Sequence, residues 1–170
     1  MQKCYYLRME VRGEEVLITV TEKVRFVETD AMGVAHHSNY FRWFEMGRVE
    51  FLKQHEISLN DLLNSGIVFP ITAVECQYKH SAKFDDVIII KTVLETITPV
   101  KMIFSYQVFR AVDNVLLALG KTQNVFTNKA GKITKTDLRI WHNRINIVLY
   151  AGSDRWKEEK MYDYRIVEQV

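Results

Sequence analysis

The chain has 170 residues, enough for one folded domain with an added arm at either end. Its 48% hydrophobic and 26% charged residues describe a chain that buries a core, which excludes a disordered protein. A net charge of +2 is too balanced for nucleic acid as the main partner, although a few placed lysines can still hold a phosphorylated ligand. Cys4 and Cys76 are the only cysteines, with neither a CxxC pair nor scaffold spacing, and read as free thiols of a reducing compartment. The opening MQKCYYLRMEVRGEE interrupts its apolar residues with charge, unlike a signal peptide, and no window approaches the roughly 20 apolar residues of a membrane span. The expectation is a cytoplasmic protein with no membrane or nucleic-acid partner.

In chain order, residues 5–11 and 15–27 are β-rich and flank a plausible turn at Arg12-Gly13-Glu14. From Asn39 to His55 the period becomes helical, with Tyr40, Phe44, Gly47 and Phe51 forming one stripe. Arg42, Glu45, Met46, Val49, Glu50 and Lys53 fall largely opposite. An aromatic stripe with one glycine in it suits a helix pressed on a sheet, where Gly47 allows close approach. Ser58 to Asn64 reads as a short second helix, capped by Ser58 and stopped by Gly66. Strands are expected at 67–78, 86–97, 101–112 and 115–127, with turns at Pro99 and Asp113-Asn114. Ala118, Gly120, Thr122 and Asn124 share one face of the last strand, and their small size leaves room for the helix. A turn at 128–132 precedes a possible helix at 137–150, and the charged, aromatic tail 151–170 has no assignment. The order predicts a single α+β domain over 1–170, an antiparallel sheet wrapped around one long helix.

The unusual segment is 24–52, VRFVETDAMGVAHHSNYFRWFEMGRVEFL. It closely resembles the 4-hydroxybenzoyl-CoA thioesterase-like branch of the hotdog superfamily, at Thr29, Asp30, Gly33, Val34, His36, His37, Tyr40, Phe44, Glu45, Arg48 and Glu50. The downstream YKHSAKFDD at 78–86 looks like the same family's loop into its next strand. The resemblance spans about 21–145 and implies the hotdog fold, acyl-CoA as substrate and thioester hydrolysis without a cofactor. It further implies a homodimer paired through its sheets, or a tetramer of such dimers, with the site at the dimer interface. It makes His37 the active-site histidine, orienting substrate or water.

The residues carry a physical case of their own. Thioester hydrolysis needs a nucleophile or base and a donor for the developing oxyanion. Asp30 lies where a strand ends, shortly before a helix whose N-terminal amides, around His36, His37 and Ser38, and positive dipole end face it. Asp30 is the candidate nucleophile or general base, and Glu45 the runner-up carboxylate. Glu45 and Arg48 are also spaced for an ion pair. Adjacent His36 and His37 suggest metal at first sight, but neighbouring side chains point apart and no third-ligand spacing follows, so no metal is expected. Lys79, Lys83 and Lys101 are candidates for the coenzyme A phosphates, and Tyr40 and Trp43 for the acyl pocket.

Two rival functions belong to other classes. Hotdog hydratases resemble D-x-N-P-x-H and dehydratases HFPxxPxxPG. Here six residues separate Asp30 from His37, and neither pattern is present. A non-catalytic binder of acyl-CoA or acyl carrier protein is the other rival, and an intact Asp30 speaks against it. The acyl group, aromatic or aliphatic, and its carrier stay open at this level.

Overall fold

The computed structural model describes residues 17–145. The strand expected at 5–11, Cys4 and everything after 145 lie outside the described residues. Five antiparallel strands form one sheet in the order β1-β3-β4-β5-β2. They are β1 (Leu17–Lys23), β2 (Ile71–Tyr78), β3 (Val87–Ile97), β4 (Lys101–Arg110) and β5 (Val115–Val125). Helix α1 (Asn39–Gln54) lies across one face, α2 (Leu59–Asn64) follows it, and α3 (Leu138–Ile145) closes one end of the sheet. The expected hotdog arrangement is the observed one. No helix among the described residues is long and apolar enough to cross a membrane.

Alternation explains why the helix sits where it does. Ile88, Ile90, Thr92 and Leu94 of β3, and Met102, Phe104, Tyr106 and Val108 of β4, point to the helix side and are buried. Against them α1 buries Tyr40, Trp43, Phe44, Gly47, Phe51 and Leu52. Two glycines set the separation. A methyl at Gly47 would overlap the Thr92 hydroxyl on β3, and one at Gly120 would overlap the Phe44 ring. The Phe44 ring fills the gap left by Gly120 and stacks on Tyr106, with centroids 4.6 Å apart.

Three expectations need correction. The second β-rich run ends at Lys23, because Phe26–Glu28 form a 3₁₀ turn that redirects the chain toward α1. The strand expected from 67 begins at Ile71, and its first residues contribute only an isolated bridge between Val68 and Thr127. Glu45 and Arg48 make no ion pair with each other. Arg48 is buried and donates to the Asn124 side chain at 3.5 Å, whereas Glu45 faces solvent. Facing the sheet and facing water are mutually exclusive for these two positions on one helix. The Ser58 cap is as expected, its Oγ accepting from the Asp61 N–H at 3.2 Å.

Candidate active site

Between β1 and α1 the chain makes a compact double bend. The Glu28 carboxylate, 3% exposed, accepts the Arg25 backbone N–H at 2.8 Å and its guanidinium at 2.9 Å. Burial alone would raise this carboxyl, but the Arg25 hydrogen bonds prevail and hold it below the usual range. The Glu28 carbonyl accepts both the His36 N–H and the Asn39 side-chain amide, each at 2.8 Å. That double acceptor ties the two ends of the bend together. At its tip the Asp30 N–H reaches the Val34 carbonyl and the Gly33 N–H returns to the Asp30 carbonyl, both at 2.9 Å, with Gly33 at φ 73°. Asp30 Oδ1 accepts the Met32 N–H at 2.8 Å. Its Oδ2 has no partner among the described residues.

The helix N-terminus beside this bend is left open. Ser38 precedes α1 without a side-chain cap, because its hydroxyl lies 2.8 Å from His36 Nδ1 instead. Of the three amides expected to be free, the His36 N–H is taken by Glu28 and the Ser38 N–H leans on His36 Nδ1 at 3.4 Å. The His37 N–H makes no hydrogen bond among the described residues. The two imidazoles do not point apart as expected, since their centroids lie 4.0 Å from each other. From β2, the Tyr78 hydroxyl donates to the His37 carbonyl at 3.1 Å, and its ring meets Tyr40 edge-on at 5.1 Å. Burial pushes the Tyr40 phenol and the nearby Cys76 thiol upward.

Tyr78 thus meets both His37 and Tyr40, and Asp30 lies on the bend that leads into the same helix entrance. The loop 79–86 joins them, because Ala35 N–H donates to the Ala82 carbonyl at 2.8 Å and Val34 bridges Lys83. Lys79 and Lys83 are exposed on that loop without an ion pair among the described residues. Lys101 does not join them. It pairs with Val125 at one end of β5, whereas Tyr78, next to Lys79, pairs with Ala118 near the other. Trp43 is fully enclosed, packed 4.6 Å from Tyr40, and is a core residue here. Tyr40 is 2% exposed and meets the site through Tyr78. Glu45 lines a shallow groove of about 460 Å³ over α1, together with Arg25, Glu28 and Met46. No three His, Cys, Asp or Glu side chains among the described residues converge as metal ligands. Glu28, Asn39 and Tyr78 went unnoticed as site residues. Their only sequence signal was position inside the two matched segments, since their contacts reach across the fold.

The family described as the thioesterase-like superfamily matches residues 24–152. The chain belongs to that family. A putative esterase of Aquifex aeolicus is 36% identical over 111 residues, covering 65% of this chain and 84% of that protein. The acyl-CoA thioester hydrolase YbgC of Escherichia coli O157:H7 is 28% identical over 95 residues, 56% of this chain and 70% of that one. Among solved structures, the DHNA-CoA thioesterase of Staphylococcus aureus superimposes with a TM-score of 0.72 at 26% identity, over 76% of this chain and 89% of that one.

Proposed function

We propose that this thioesterase-family protein hydrolyses an acyl-CoA thioester to a free carboxylic acid and coenzyme A, with Asp30 as the reacting carboxylate. One observation carries the reading: among the described residues an Asp30 carboxylate oxygen without a partner lies on the bend leading into a helix N-terminus without a side-chain cap, where the His37 N–H also makes no hydrogen bond. A thioester carbonyl set against that N–H and the positive end of α1 is polarised. Asp30 then takes a proton from water as the hydroxyl adds to the carbonyl carbon. The tetrahedral intermediate collapses, the C–S bond breaks, and the leaving thiolate recovers the proton from Asp30. As a nucleophile, Asp30 would instead form an anhydride that water opens. The His37 imidazole, exposed at the mouth, orients water or substrate.

Lys79 and Lys83 would hold the nucleotide phosphates of coenzyme A, and Tyr40 with Tyr78 would border the acyl group. Strand β2 supports assembly, because Ile71, Val74 and Tyr78 are exposed along a sheet edge. A second copy pairing there would wall the site, so the active species would be a dimer, in the cytoplasm. The test offers saturated and 2-enoyl-CoA thioesters and records free thiol and enoyl chromophore separately. Thiol release from both supports hydrolysis. Loss of the chromophore without thiol would make the protein a hydratase, and neither signal would leave a binder.

A further inference from the structure

We infer that Tyr78 is a positioning residue of this site, its hydroxyl holding the His37 carbonyl so that the neighbouring His37 N–H faces the reacting carbonyl. The inference rests on the thioesterase reading and extends it to a residue on a different element. Tyr78 is the last residue of β2 and pairs with Ala118 of β5, so the sheet sets the hydroxyl's position. Its bond to the His37 carbonyl approaches the helix entrance from the sheet side, 3.1 Å long. On the first turn of α1 the Asn39 amide bonds the Glu28 carbonyl at 2.8 Å. Between the two tethered residues, His37 and Asn39, lies Ser38. The peptide group is planar, so fixing the His37 carbonyl fixes the Ser38 N–H on the same plane and restrains the His37 N–H one residue before it.

The phenol suits this task. Partial desolvation of the phenol pushes its ionisation above the ordinary tyrosine value of 10, so it stays a donor across the working pH range. The side chain is 46% exposed, and an exposed hydrogen bond contributes little to stability. A purely structural role would therefore leave both stability and rate nearly unchanged on removing the hydroxyl.

Tyr78→Phe keeps the ring against Tyr40 and deletes only that hydroxyl. The expected result is a kcat lowered about tenfold, with KM within about twofold and an unshifted melting temperature. Amide hydrogen exchange at Asn39, whose N–H is held by the His36 carbonyl at 2.9 Å, should quicken in the same variant read without substrate. Unchanged kcat with unchanged exchange overturns the inference, as does a raised KM at constant kcat, which would make the Tyr78 hydroxyl a substrate contact and leave only its ring at the acyl group. Asp30→Asn is measured alongside. If it is inactive while Tyr78→Phe is normal, only the Tyr78 inference fails. If Asp30→Asn is as active as the wild type, the proposed mechanism fails, and the exchange result still decides whether Tyr78 orders the helix entrance.

Discussion

The two ends of the sheet are built on opposite rules. At the α3 end, Trp141 is 1% exposed, packs on Phe126 with centroids 5.4 Å apart, and donates its indole N–H to Thr136 at 3.1 Å. Every large ring there is covered and its polar atom is matched. At the Asp30 end the backbone is also well bonded, yet a carboxylate oxygen and the His37 amide before α1 have no partner among the described residues. Phe26, Val27, Met32 and Phe84 stand exposed around them. The bend holds its shape through main-chain bonds, which releases its side chains and one N–H for use. On the proposed function the open end is the reactive one, while the closed end is devoted to packing.

Substitutions at the two ends should separate along these lines. Asp30→Asn should lower kcat by about 10³-fold or more with the fold intact, measured by thiol release and circular dichroism. Trp141→Ala should do the reverse, costing about 3–5 kcal/mol in denaturant unfolding while kcat of the folded fraction holds. If Trp141→Ala damages kcat as strongly as Asp30→Asn, the two ends are not independent. Gly120→Ala, midway between them, forces a methyl into the Phe44 ring and should cost about 1–3 kcal/mol, seen as a lowered melting temperature.

Smaller effects sharpen the open end. Changing Lys79 and Lys83 together to alanine should raise KM for acyl-CoA several-fold, flatten its salt dependence and spare kcat. An acyl-pantetheine thioester, which lacks the nucleotide, should be hydrolysed as by the wild type. Equal losses on both substrates would assign these lysines to the acyl end instead. The smallest effect concerns Glu28, whose folded carboxyl sits below its ordinary value of 4.5. Its contribution to stability is present above that value and lost as pH falls through the folded one. Thermal melts from pH 7 to pH 3 should therefore show a shallower acid limb in Glu28→Gln than in the wild type.

Periodicity and chemistry in the sequence determined the order of elements, the stripe Tyr40, Phe44, Gly47 and Phe51 and the Ser58 cap, and they made Asp30 the candidate that the proposed function carries. These are local properties, because spacing along one strand or helix decides which side chains share a face. Small residues at Gly47 and Gly120 even announced the close approach of helix and sheet. Tertiary structure alone decided which candidates meet. Lys101 matched Lys79 in charge but is carried to the other end of the sheet by the register of β4 on β5. Arg48 matched Glu45 in spacing but turns inward toward Asn124, and Trp43 disappears into the core. Tyr78 reaches His37 across 41 positions, and Asn39 reaches Glu28 across 11. Such contacts depend on how separate elements dock, and no spacing within one segment encodes that.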